Sequence, residues 1–293
     1  MTYQKRSMTI ANGRLVTVHS VGNDGTPVVM LCHGMPGSGV MLEEAGPVAD
    51  ELGVSMVCVN RPGYGGSDRA APGFEVAVDD ALGVADRMSL ERFATLGISG
   101  GGAYAAAVAA AAPERATAVG IAAGVGCWRE IEPDRQSWDP TDVEILDLAE
   151  AGDLIGAASL VREGCDGYFS GLLTEDDEVI AAALLPPAES AEFADRFVRE
   201  LRDALRSYDG LAYDNLTLGL SWNFDLSTIR QPAFLWYGDA DTVVRVEHGL
   251  WYAERLNDAR LCWCEGESHG SVIHNHWREM LRALTEVGRS RAV

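Results

Sequence analysis

No apolar run in the 293-residue chain reaches the ~18 residues that a membrane-spanning helix needs. The opening residues, Met1 to Ser7, are followed by no apolar stretch that would make a signal peptide. Basic residues are scarce: 23 Lys and Arg stand against 44 Asp and Glu, for a net charge of -21. Such a field repels phosphate backbones and anionic lipid, so neither nucleic acid nor a membrane surface is an expected partner. A cytoplasmic location is the expectation. Cysteine is sparse as well. Of Cys32, Cys58, Cys127, Cys165, Cys262 and Cys264, several sit in apolar runs, where the residue behaves as a small hydrophobe. Cys262 and Cys264 share a face of one strand, but no second pair stands at zinc spacing. Neither a disulfide framework nor a metal site is expected. Internal repeats and low-complexity tracts are missing too. The 47% hydrophobic and 23% charged composition excludes disordered and fibrous classes.

What is present is chain enough for a large buried core, about twice the ~150 residues of a typical domain. Residues 8–10 and 15–18 flank Asn12-Gly13, a dipeptide that favours a tight primed turn, and predict a hairpin. Short continuous apolar runs follow at 28–32, 54–59, 93–98, 118–121, 233–237 and 261–263. Continuous rather than alternating runs predict strands buried on both faces, hence a mostly parallel sheet flanked by helices. Helices are expected over 75–88, over the alanine-rich 103–112 stopped by Pro113, and over 246–256. From Gly126 to Asp225 no strand-like run occurs. The stretch is rich in Ala, Leu and acids, with Pro186-Pro187 as a break, and 130–209 carries 21 acidic and 6 basic residues. One hundred residues cannot be a loop in a compact domain. The expected organisation is a core of 1–125 and 226–293 with a helical insertion, 126–225, over one sheet edge.

The sharpest motif is Gly97-Ile98-Ser99-Gly100-Gly101, between a predicted strand and a predicted helix. A serine on a tight strand-to-helix turn raises its hydroxyl above the carboxyl edge of the sheet. The turn crowds the positions two before and two after it, which accounts for Gly97 and Gly101. The N–H of Gly100 then lies at a helix start, where unpaired donors favour negative charge. A rival reading, Gly100-Gly101-Gly102 as a dinucleotide fingerprint, lacks the carboxylate expected about 20 residues on. A serine needs a base. His269 follows the last strand and lies at the same edge. His274 and His276 fall on the final helix as surface positions, His19 lies in the hairpin and His248 in another helix. The base needs an acid to hold its tautomer. Asp241, after the strand 233–237, is the choice, with Asp239 bracing that turn. A second oxyanion donor is expected from His33-Gly34-Met35-Pro36-Gly37. Gly34 frees the backbone there, Pro36 stiffens the bend, Met35 supplies the N–H, and His33 pins the loop. The order Ser99, Asp241, His269 is the one found in hydrolases with this elbow.

These segments, with Asn60-Arg61-Pro62-Gly63-Tyr64-Gly65-Gly66-Ser67-Asp68, resemble the α/β-hydrolase superfamily over nearly the whole chain outside 126–225. The resemblance implies an eight-stranded, mostly parallel sheet, a Ser–His–Asp triad, and a substrate pocket between core and a helical cap. Many relatives carry a bulkier residue where Gly100 stands, so an open pocket wall is expected there. The implied chemistry is serine-dependent hydrolysis of a small molecule bearing a carbonyl, without cofactor or metal. A carboxylic ester or lactone comes first; an amide, a peptide or a carbon–carbon bond uses the same residues. A non-catalytic binding protein or a lyase of the same fold is the reading of a different kind. Aspartate is absent from the elbow, which argues against epoxide and halide chemistry. Trp128, Trp138, Tyr168, Phe169, Trp222 and Phe224 are candidate pocket lining. An acidic cap over the entrance would favour neutral or cationic substrates. Oligomeric state leaves no mark in the sequence.

Overall fold

The predicted strands become one eight-stranded sheet in the structure, a computed structural model that describes residues 2–23, 25–185 and 191–289. The break expected at Pro186-Pro187 lies outside the described residues. Strands β1 (Gln4–Thr9) and β2 (Leu15–Val21) form the hairpin. They are followed by β3 (Val28–Cys32), β4 (Ser55–Val59), β5 (Phe93–Ile98), β6 (Ala116–Ala122), β7 (Ala233–Gly238) and β8 (Ala259–Cys264). The order is β1-β2-β4-β3-β5-β6-β7-β8, antiparallel at β1/β2 and β2/β4 and parallel elsewhere. Every residue of β4 and β5 is buried, which is why these runs are apolar apart from Ser55 and Thr95 rather than alternating.

The hairpin turn is longer than the two-residue form its Asn-Gly suggested. Ile10 N donates to Arg14 O at 3.0 Å, Gly13 N donates to Ile10 O at 2.9 Å, and Gly13 has φ 87°. This is a turn closed by a glycine in the left-handed region, the bulged alternative to a primed turn.

Helices α1 (Leu42–Leu52), α2 (Phe74–Arg87) and α3 (Gly101–Ala111) cover the first half of the sheet. Residues of α1 pack on one face and residues of α2 and α3 on the other. In α3 every residue from Gly101 to Ala109 is buried, so its alanines are a close-packing surface rather than a propensity device. Between β6 and β7 the chain forms α4 (Trp128–Ile131), α5 (Pro140–Glu150), α6 (Leu154–Leu172), α7 (Asp177–Leu184), α8 (Ala191–Ala204) and α9 (Asp209–Gly219), and no strand among the described residues. These helices bury a core of their own, with Ile145, Val161, Ile180, Val198 and Leu216 at its centre, into which Tyr64 of the β4–α2 loop inserts. Helices α10 (Val246–Arg255), α11 (His269–Asn275) and α12 (Trp277–Arg289) complete the layers. Among the described residues no helix is long and apolar enough to cross a membrane.

The sheet order positions the site. Strand β3 has β4 on one side and β5 on the other, so consecutive crossovers diverge there and leave a crevice beyond the carboxyl ends of β3 and β5. Cys32 and Gly97 are register partners at those ends. The loop after Cys32 and the turn after Ile98 therefore leave the sheet side by side.

Candidate active site

Ser99 sits at φ 52°, in the left-handed region that an L-residue occupies only under constraint, at a cost of about 1–3 kcal/mol. The constraint is a ring of backbone hydrogen bonds. Ser99 N donates to Ala122 O at 3.0 Å, and Ser99 O accepts from Gly102 N at 2.9 Å and Val125 N at 3.1 Å. A Cβ on Gly97 would lie 2.3 Å from Gly101 O, as a turn folded on itself requires. Gly101 is small for another reason: its Cβ would lie 2.1 Å from Cys32 O, at the end of β3. Gly102 likewise meets Gly124 at 2.9 Å. These glycines are spent on packing against protein backbone, which leaves no cradle for a pyrophosphate.

His269, the first residue of α11, is presented by the Ser268 cap, whose hydroxyl accepts from Ser271 N. Its Nε2 lies 3.1 Å from Ser99 Oγ and its Nδ1 2.8 Å from Asp241 Oδ2. Asp241 Oδ1 accepts from Val243 N and Val244 N, each at 2.8 Å, which locks the carboxylate. Because a carboxylate oxygen accepts, Nδ1 carries the hydrogen and the Nε2 lone pair faces the serine hydroxyl. Asp239 takes a different part: its Oδ1 accepts from Gly266 N at 2.6 Å and ties the β7–α10 loop to the loop that leads to His269. The three residues expected to meet across the chain thus form one hydrogen-bonded row.

Gly100 follows Ser99 in the chain, and a Cβ on it would lie 3.7 Å from Met35 N. Neither the Met35 N–H nor the Gly100 N–H is used in a loop or cap backbone hydrogen bond among the described residues. A Cβ on Gly100 would fall 2.9 Å from Met35 Cβ and 3.3 Å from Leu218 Cδ1. The open wall expected at Gly100 is therefore filled, by Met35 and Leu218. Gly34 was expected to free the backbone, yet its φ is not in the left-handed region and the nearest atoms to a Cβ there lie 3.8 Å away. Nothing in the local geometry demands glycine at 34.

What holds the Met35 loop is a buried network. His33 is fully buried; its Nε2 accepts from Arg61 N at 3.1 Å and its Nδ1 bonds Gly34 O at 2.9 Å. Burial, reinforced by the Arg61 charge, holds its imidazole well below the usual histidine range, so the ring stays neutral. Arg61 donates to His33 O at 2.6 Å, Gly34 O at 2.9 Å and the Asp214 carboxylate at 2.5 Å, and its guanidinium stacks 4.5 Å from the Tyr104 ring centre. Tyr64 and Tyr104 donate to the same carboxylate at 3.0 and 2.7 Å. Burial alone would lower the Arg61 pKa, but the pull of Asp214 more than offsets it. Asp214 lies in α9, so the helical segment reaches down and clamps the loop. Sequence reasoning quoted Arg61 within its motif but missed Asp214, which stands among the many acids of 126–225 with no local signal. Asp214→Ala would strand a buried guanidinium and is expected to cost about 3–5 kcal/mol, read as a lower denaturation midpoint.

A cavity of about 540 Å³ opens over Ser99 and His269. Its walls are largely apolar, with Met35, Phe169, Phe193 and Phe197, but one side carries Arg196, Glu200 and His274. Arg196 pairs with Glu200 at 2.6 Å and Glu44 at 2.9 Å, and His274 Nδ1 lies 2.5 Å from Glu44. The expectation that His274 is a surface residue fails: α11 turns it inward, ring to ring with Phe193 at 3.9 Å. His276 pairs with Glu279 at 2.9 Å; His19 bonds Tyr3 at 2.6 Å; His248 accepts from Gly126 N at 3.0 Å. Of the six aromatics proposed as lining, only Phe169 lines this cavity. Trp128 and Trp138 line a smaller one, Tyr168 is exposed, and Trp222 and Phe224 pack with Phe74. The six cysteines are unpaired, and among the described residues no group of three or more His, Cys, Asp or Glu could hold a metal ion.

Residues 27–156 match the family model described as alpha/beta hydrolase fold. No curated protein matches the chain. Among solved structures, an esterase from Exiguobacterium antarcticum is 21% identical with a TM-score of 0.71, covering 97% of this chain and 100% of its own. A bromoperoxidase from Bacillus anthracis is 19% identical with a TM-score of 0.70, covering 97% and 100%. A thermophilic esterase from Thermogutta terrifontis is 17% identical with a TM-score of 0.66, covering 98% of each chain. At such identities the structural likeness speaks for the fold alone. The matched region, the sheet order and these structural likenesses show that the chain has the α/β-hydrolase fold.

Proposed function

We propose that the protein is a serine hydrolase that cleaves a carboxylic ester or lactone of a small molecule. The observation that carries this reading is the unbroken row from Asp241 through His269 to Ser99, with its hydroxyl held on a strained turn in a cavity. Ser99 Oγ attacks the carbonyl carbon while His269 Nε2 takes its proton. The carbonyl oxygen, now an oxyanion, receives the N–H groups of Met35 and Gly100. Collapse expels the alcohol, which takes the proton back from His269 and leaves an acyl group on Ser99. Water, deprotonated by His269, then hydrolyses it. Asp241 holds the ring and stabilises its charge throughout. His33, Gly34, Gly97 and Gly101 act through the backbone they position. In this reading 1–125 and 226–293 form the catalytic core and 126–225 the cap that closes the cavity.

Labelling with a serine-directed fluorophosphonate tests the reading, followed by turnover of short-chain p-nitrophenyl esters and aminoacyl amides. The expected result is a single adduct on Ser99 and ester turnover. Label with amide turnover and no ester turnover would move the assignment to an amidase or peptidase. Absence of label on the folded protein would leave a binding protein or a lyase of this fold.

A further inference from the structure

Beside the Ser99 cavity lies a second one of about 120 Å³, and Met35 belongs to the walls of both. Val125, Trp128, Trp138, Leu146 and Leu218 contribute the apolar remainder of the smaller wall. The space is tied to the elbow: Val125 N donates to Ser99 O at 3.1 Å, and Leu218 and Met35 close over the place where Gly100 has no side chain. Ser99 and His269 both line the large cavity, and neither lines the small one, which meets the large one at Met35.

The departing alcohol takes its proton from His269, so the alcohol part occupies the large cavity. The acyl part leaves the carbonyl carbon in another direction, past the oxyanion donors, where Met35 stands. Resting on the serine-hydrolase reading above, we infer that the small cavity is an acyl subsite for one aromatic ring or a chain of similar volume. It joins the Ser99 cavity when the Met35 side chain turns aside. The size fits, because an apolar cavity of about 150 Å³ is known to hold benzene. The chemistry fits as well: Trp128 and Trp138 already meet edge to face at 5.9 Å, an arrangement a third ring extends. Methionine, unbranched and with three rotatable bonds, is suited to a partition that moves. Asp142 on the same wall disfavours an acyl group that ends in a carboxylate.

The test compares acetate and phenylacetate esters of one alcohol, so that the leaving group stays constant. Leu146→Trp, which fills the subsite, is expected to lower the ratio of phenylacetate to acetate kcat/KM by at least about tenfold. One methylene in an apolar pocket is itself worth about 10- to 200-fold. Trp138→Ala, which enlarges it, is expected to raise the same ratio for a naphthylacetate ester against acetate. Fluorophosphonate labelling of each variant reports a folded, reactive Ser99. If Leu146→Trp is not labelled, Trp138→Ala alone decides. Ratios unchanged in labelled variants would overturn the subsite. A wild-type protein that takes no label would overturn the serine reading instead.

Discussion

Ser99→Ala is expected to lower kcat by about 10⁶-fold while leaving the affinity for substrate within a few-fold of wild type. In the proposed mechanism the hydroxyl is the one group in the cavity that forms a bond to substrate, whereas the walls and the Met35 and Gly100 N–H groups survive its removal. What remains is the catalysis of positioning and oxyanion binding, about 10³–10⁴ over water. Single-turnover kinetics and equilibrium binding of the same ester separate the two effects. Retention of more than a few percent of kcat would remove Ser99 from the chemistry. Stability gives a second reading. Alanine keeps the φ 52° conformation and its strain, but Ser99→Gly relieves it, so the glycine variant is expected to melt above the alanine variant.

Asp241→Asn is expected to cost about 10⁴ in kcat, and the hydrogen bonds show why. The Oδ1 atom receives two backbone N–H groups, from Val243 and Val244, a place that an amide nitrogen cannot take. The asparagine oxygen therefore stays there and its NH₂ turns to His269. Facing a donor, Nδ1 gives up its hydrogen, and Nε2 carries it toward Ser99 instead. The ring keeps its position but presents the wrong tautomer. Asp239→Asn is the control: its amide oxygen still accepts from Gly266 N, so the expected loss is under about tenfold. A larger loss at 239 than at 241 would reassign the acid. Measuring kcat for the two variants side by side decides it.

Much of this arrangement was legible because it is local. Burial on both faces makes strands β3 to β7 continuously apolar, and their limits stand within about two residues of the runs that announced them. The glycines flanking Ser99 marked a strand-to-helix turn, and chain order alone aligned Ser99, Asp241 and His269. The misreadings share a cause. His274 faces a cavity against Phe193, 81 positions away in the chain, which no periodicity over the seven residues of α11 encodes. Gly100 seemed to leave a wall open, and the filling residues come from a loop 65 positions earlier and a helix 118 positions later. The Asn12-Gly13 turn took the bulged form because the strand register pairs Thr9 with Leu15, which leaves more than two residues to the loop.

The chain's own order of residues determined which strands exist, that most of them lie parallel, and where Ser99, Asp241 and His269 leave the sheet. Those features follow from hydrophobic pattern and turn chemistry, which act over a few neighbours. The clamp of Asp214 on Arg61, the charged wall around Arg196 and the partition made by Met35 were decided only in three dimensions. Each joins groups tens to more than a hundred positions apart. An acid in an acidic helix or a methionine in a loop takes its meaning from the partner that packing brings to it.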